Sequence, residues 1–237
     1  AYVNGSNIWY FDTRTRETAP LTTDGTDEYF YGKRSDTVRY PVSEKRLNKS
    51  PAAYLVWSPD SSRIATYKVD QRNVSQIWLV QDIPQTGKRP VLYSYRFAYP
   101  GDPQVPQYVP VSIDTRSRQV TPLQCRAQPE VSMMDTDEDL LQWWDKTGNT
   151  IYSLYIERGE KTLRLLAGDP VTGAVREILS ETGDSYIEST LQYADDPNIA
   201  VLSSGDIIWF SERDGWGHLY RYDANGTLKK QLTRGPW

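Results

Sequence analysis

An all-β fold is the class this sequence predicts, and three observations carry the prediction. A unit of one alternating apolar strand, an acidic turn of small or polar residues and a second short strand recurs along the chain. Aromatic residues make up 12%, with 17 Tyr and 8 Trp against only 4 Phe, a bias towards rings with a polar handle that suit strands and half-buried faces. No stretch carries a good helical period. Strands in repeated fours with turn signals between them predict blades of ~40 to 50 residues, and so a partial β-propeller of about four to five blades.

The elements follow in chain order. Asn7 to Asp12 is an alternating strand that turns through Thr13 to Arg16 and returns by Pro20 to Gly25. Thr26 to Pro51 is polar and charged with weak periodicity, which marks it as an insertion. Trp57-Ser58-Pro59-Asp60 is a tight turn: proline fixes φ, the Ser and Asp side chains close on backbone amides, and the Trp is expected to pack between blades. The strand Ser62 to Tyr67 follows it.

Pro84 to Pro110 carries six prolines, which cannot serve as ladder donors in central strands, so this stretch is the second candidate insertion. Within it Tyr93, Tyr95, Phe97 and Tyr99 alternate with Ser94, Arg96 and Ala98, placing four rings on one side of an extended segment, most simply for packing between blades. Hairpins follow at Tyr108 to Leu123, at Thr162 to Leu179 around Thr172-Gly173, and at His218 to Gly235 around Ala224-Asn225-Gly226. Trp144 and Trp209 open stretches comparable to the one at Trp57.

The whole-chain numbers exclude several functions. At 237 residues the chain can bury a sizeable core as one large all-β domain or two small ones. Its 27 Lys and Arg against 31 Asp and Glu give a formal charge of -4 with both signs scattered, poor footing for nucleic acid, which needs a concentrated basic surface. No apolar run approaches the ~20 residues of a membrane span. The single cysteine, Cys125, excludes an internal disulfide and a cysteine-rich metal site, and suits either cytoplasm or periplasm. The amino terminus, Ala1 to Gly5, has no basic or apolar signal core and is read as trimmed from something longer.

Residue types that could carry chemistry are few. No serine stands in a Gly-x-Ser-x-Gly frame. The only histidine, His218, lies at a strand start, where a structural role is expected, because a catalytic base needs an adjacent nucleophile and an orienting acid. Asp135 to Asp139 lacks the Gly and the terminal Glu of a calcium loop, since Leu140 and Lys146 stand in those places, so it is read as a solvated turn with no metal. A two-carboxylate glycosidase is permitted by the abundant Asp residues, but Asp12, Asp60, Asp114, Asp169 and Asp223 all sit at turn positions. No cofactor is implied.

Read together, Trp57 to Ser61, Tyr67 to Val74, Gly87 to Pro90 and Tyr99 to Asp102 resemble the amino-terminal propeller of dipeptidyl peptidase IV-like proteins, within the prolyl oligopeptidase class of serine peptidases. Ser211-Glu212-Arg213-Asp214-Gly215-Trp216-Gly217-His218-Leu219-Tyr220, ending in Gln231-Leu232-Thr233, is similar to a later blade, and the order matches from about Tyr2 to Trp237. The resemblance implies that residues 1–237 are a segment of an eight-bladed propeller that caps an α/β-hydrolase domain, and that the catalytic triad lies outside this chain. It implies gating and peptide selection as the role, a peptide and its own hydrolase domain as partners, compatibility with a homodimer, and a bacterial periplasm or envelope slightly ahead of cytoplasm. A freestanding propeller that binds a peptide or protein is the alternative.

In that family a Glu pair grips the substrate's free amino terminus, a charge-assisted contact. No adjacent Glu pair stands between Asp24 and Trp57. Asp36 is placed at the family's leading Asp, with Tyr40 and Pro41 near the Glu positions, so the candidate substrate-binding residues are Asp36, Glu44 and Glu28, with Asp27 beside the last. Solvated loop charge is the competing reading. A chain ending at Arg234 to Trp237 is expected to leave an apolar flank, with partial closure or self-association as the result.

Overall fold

The computed structural model describes residues 1–39, 41–47, 49–84, 86–130, 141–188 and 197–237. These carry nineteen β-strands and two short helices, and the strands of each blade pair antiparallel. The expected propeller-type, all-β architecture is what the chain adopts. Two compact units are present: Ala1–Leu55 with Tyr67–Val109, and Val56–Thr66 with Pro110–Trp237.

In the first unit, β1 (Tyr2–Asn4), β2 (Asn7–Phe11) and β3 (Thr18–Pro20) form a three-stranded sheet. Ile8 is fully buried on it, and its amide donates to Thr22 Oγ1 at 3.0 Å. Asn7 Oδ1 accepts from that same hydroxyl at 3.0 Å and from the Gly25 amide at 2.9 Å, so one polar side chain closes the returning strand. β4 (Tyr29–Tyr31) pairs with the second half of β6 (Arg63–Asp70), where Phe30 faces Val69 and both are fully buried. Lys68 on that strand sets its ammonium 4.0 Å above the Tyr29 ring and 2.5 Å from Asp24 Oδ2, which gives a buried cation both a π face and a counter-charge.

Two helices occupy the insertion: α1 (Asp36–Arg39) and α2 (Pro41–Leu47). The sequence reading found no helix here, and the reason is length. Four and seven residues make one or two turns, too few to display a 3.6-residue period. The terminal signals are nonetheless present: Pro41 at the first helical position, Glu44 in the first turn, and Lys45 and Arg46 in the last. β7 (Gln76–Gln81) and β8 (Val91–Arg96) form a two-stranded ribbon. On it Trp78 (61% exposed), Val80 (59%) and Leu92 (63%) share one face, because Trp78 lies opposite Ser94 and Val80 opposite Leu92.

In the second unit, β5 (Val56–Trp57) pairs with the first half of β6, and β10 (Val120–Pro122) with the end of β9 (Gln107–Asp114). β12 (Gln142–Trp144), β13 (Ile151–Ile156), β14 (Thr162–Gly168) and β15 (Val175–Thr182) make one complete four-stranded blade. β16 (Ile199–Val201), β17 (Ile207–Ser211), β18 (His218–Tyr222) and β19 (Leu228–Gln231) make another. Ala65, Leu123 and Ile151 form a buried apolar cluster against which Val56, Cys125, Trp144 and Val175 pack.

The turns are built as their residue types dictate. Asp12, Asp114, Asp169 and Asp223 each accept two backbone amides through Oδ1, with Asp114 taking those of Arg116 (3.0 Å) and Ser117 (2.8 Å). Asp60 Oδ1 takes the Ser58 hydroxyl at 2.6 Å and the Ser62 amide at 3.1 Å, and these bonds pull its carboxyl down to about 2. Trp57 departs from expectation: it is 40% exposed, and the indole that packs on this turn is Trp144, whose Nε1 donates to the Val56 carbonyl at 2.9 Å.

Candidate functional site

The acidic residues singled out in the insertion converge. Glu28 precedes β4, Asp36 opens α1 and Glu44 lies in the first turn of α2, yet all three line one cavity of about 480 Å³ in the first unit, with Asp27 beside them. Gly32 makes this possible. It follows β4 with φ of +63°, and a Cβ there would press on Leu55, Val3 and Ile8 at 3.1 to 3.3 Å. From that turn the chain runs through Lys33 to Ser35, whose amide donates to the Tyr108 hydroxyl at 3.1 Å, and enters α1.

A hydrogen-bonded frame holds the carboxylates in place. Gln71 is buried; its amide donates to the Glu28 carbonyl at 3.0 Å, and its Oε1 accepts the Asp36 amide at 3.0 Å. Arg96, the last residue of β8, donates from Nε to Glu28 Oε1 at 2.9 Å and from Nη1 to the Val74 carbonyl at 2.6 Å. Its Nη2 also meets Glu28 Oε1, and its backbone amide reaches Asp36 Oδ2 at 3.3 Å. Residues from four separate places in the sequence thus fix two carboxylate positions.

The sequence reading missed the cations. Lys33, Lys45, Lys49 and Arg96 line the same cavity as the four carboxylates, so its wall is formally neutral and strongly polar, with Pro41 and Tyr95 its main apolar members. One signal was there to be used: Arg96 is the single charge in the Tyr93 to Tyr99 ring alternation. Three of those rings touch in series. Tyr93 donates to Gln81 Oε1 at 3.0 Å, Tyr95 borders the cavity, and Phe97 contacts Tyr95 and Tyr99 edge-on at 6.1 and 5.7 Å. Of the two residues placed near the Glu positions, Pro41 is buried at the head of α2 and Tyr40 lies outside the described residues.

Elsewhere the chemistry-bearing residues serve the fold. His218 is buried; its Nδ1 lies 3.2 Å from Thr233 Oγ1, its Nε2 3.0 Å from the Gly235 carbonyl, and its ring meets Trp237 edge-on at 5.3 Å. Both nitrogens are occupied, and among the described residues no carboxylate is hydrogen-bonded to the ring to orient it as a base. Glu181 accepts Trp209 Nε1 at 2.7 Å, the Ser211 hydroxyl at 2.6 Å and Arg213 Nη2 at 2.9 Å, while Asp214 accepts the Tyr220 hydroxyl at 3.1 Å. Burial pushes the Cys125 thiol up, away from reactivity. The Asp135 to Asp139 stretch and Leu140 lie outside the described residues. Among the described residues no group of three or more His, Cys, Asp or Glu is arranged to hold a metal.

Comparison with solved structures supports this architecture. The crystal structure of Porphyromonas gingivalis dipeptidyl peptidase 4 superposes with a TM-score of 0.71 at 17% identity, covering 99% of this chain and 31% of that one. A putative dipeptidyl aminopeptidase IV from Bacteroides ovatus ATCC 8483 gives 0.64 at 18% identity, covering 98% and 34%. This chain therefore spans about a third of the length of the structures it matches, and at such identity they speak to fold alone. The sequence itself matches the family described as the dipeptidyl peptidase IV (DPP IV) N-terminal region over residues 1–237, and the chain belongs to that family.

Proposed function

We propose that residues 1–237 are one propeller segment of a longer serine-type peptidase, of dipeptidyl peptidase or oligopeptidase kind. The segment gates access and selects peptides, while hydrolysis is carried by an α/β-hydrolase domain that this chain does not include. The observation that carries the reading is the convergence of Glu28, Asp36 and Glu44 with Asp27 on one cavity. Carboxylates held there by Gln71 and Arg96 suit a peptide's free ammonium, which gains charge-assisted hydrogen bonds from ionised oxygens. The absence of a Gly-x-Ser-x-Gly frame and the occupied ring of His218 support assigning the chemistry elsewhere. A bacterial periplasm or envelope accords with the bacterial relatives; among the described residues no helix is long and apolar enough to cross a membrane.

The test is hydrolysis of Ala-Pro and Gly-Pro chromogenic substrates by the full-length gene product, beside amino-blocked counterparts. Cleavage that blocking abolishes is the expected result. Cleavage of blocked peptides makes the protein an oligopeptidase and removes the amine-gripping role, and no cleavage of any substrate favours a peptide-binding or protein-binding module. Self-association as a homodimer is proposed on a separate observation, the apolar face that Trp78, Val80 and Leu92 leave uncovered on the β7–β8 ribbon.

A further inference from the structure

The cavity's charges do not all belong to the same purpose. Arg96 is committed to Glu28 through two of its guanidinium nitrogens, and Lys33 Nζ donates to the Gly5 carbonyl at 3.1 Å, while Lys45 and Lys49 line the same wall as Asp27, Asp36 and Glu44. Lys45 and Lys49 make no hydrogen bond or ion pair with their side-chain nitrogens among the described residues. Next to Lys33 in the chain, Arg34 is 7% exposed with its guanidinium 4.6 Å from the Tyr54 ring centroid, and its Nη2 has no hydrogen-bond partner among the described residues. A buried cation without a counter-charge adds positive potential that nearby water screens poorly. Meanwhile Pro41 and Tyr95 give an apolar side chain little surface to cover.

We infer that this cavity takes peptides whose first residue is acidic, with the free ammonium among the carboxylates and the side-chain carboxylate against Lys45, Lys49 and Lys33. The inference rests on the amine-gripping role proposed above and names its substrate class. Lys45 and Lys49 are exposed, and a carboxylate on such a lysine pair is favoured over the isosteric amide by up to about 1 kcal/mol, or roughly 5-fold. Lysine at the first position meets the like charges of Lys33, Lys45 and Lys49 on the cavity wall and is disfavoured.

The decisive measurement is calorimetric titration of the full-length protein with the dipeptides Glu-Pro, Gln-Pro and N-acetyl-Glu-Pro, which bind without needing to be cleaved. Glu-Pro is expected to bind roughly 5-fold tighter than Gln-Pro. The preference should shrink in 0.5 M salt, vanish in K45Q/K49Q and reverse in K45E/K49E; the Glu-to-Gln ratio cancels any loss common to both ligands. Equal affinities, a ratio untouched by either double variant, or no binding at all overturns the inference. If acetylation leaves Glu-Pro binding intact while the Glu-to-Gln preference persists, the lysine subsite stands and the amine-gripping role falls.

Discussion

Arg96 donates from Nε to Glu28 Oε1 at 2.9 Å and from Nη1 to the Val74 carbonyl at 2.6 Å, so a single guanidinium ties the end of the β7–β8 ribbon to the segment that enters β4. Removing it strands a half-buried carboxylate and a carbonyl together. R96M keeps most of the side chain's volume and should destabilise the protein by about 1–3 kcal/mol, read as a lower urea midpoint at unchanged slope. An unchanged midpoint would mean that the bond is a surface contact with no structural weight.

How much of this was legible in the sequence depends on how local each feature is. The hairpins at Asn7, Thr162 and His218 were readable because each turn is written in adjacent residues, with an Asp accepting the amides that follow it. The Ser211 to Gly217 stretch was readable as a family signature, although its residues turn out to lock Glu181 and Tyr220 rather than perform chemistry. Two things were not readable. The helices α1 and α2 are too short for periodicity to register. The cavity draws Glu28, Asp36, Gln71 and Arg96 from distant positions, and nothing in local pattern says that Arg96 will reach Glu28 across 68 residues.

The turn aspartates make the fold acid-sensitive in a defined window. Hydrogen bonds from the Ser58 and Ser62 hydroxyls and the Ser62 amide hold Asp60 at about 2, and backbone amides led by those of Ser117, Thr172 and Thr227 hold Asp114, Asp169 and Asp223 below the usual carboxylate range. Because the folded values lie below the unfolded ones, their contribution is complete above about pH 4 and is lost as pH falls through the folded values towards 2. Tm should therefore be flat near neutrality and drop between about pH 4 and 2. The D60N/D114N/D169N variant should start with a lower Tm at pH 7 and show a shallower drop; an identical acid profile would remove these turns as the cause.

Glu181 is the acceptor on which the last blade's inner polar groups depend. E181A leaves the indole N–H of fully buried Trp209 and the hydroxyl of Ser211 without their partner, and Arg213 without its counter-charge. A loss of about 1–3 kcal/mol is expected, together with a shift in Trp fluorescence as the indole environment changes. E181Q retains one acceptor oxygen and should recover part of that loss, a graded order that a pure packing effect would not give.

The ribbon face is where self-association should be sought. Trp78, Val80 and Leu92 are 61%, 59% and 63% exposed, contiguous on one side of two paired strands whose outer edges have no partner in that sheet. Water contact with this face is unfavourable by roughly 25 cal/mol per Å², and an uncovered ribbon edge is also a template for pairing with another strand. A W78E/V80E variant puts two like charges on the strip without altering the register, so if the full-length protein dimerises through this face, light scattering should show its dimer dissociating into monomers. The cavity draws Gln76 and Ser94 from the same face beside Trp78, so V80E alone, further along the strip, is the variant in which dipeptide affinity should survive. A dimer that persists in W78E/V80E would place the interface elsewhere.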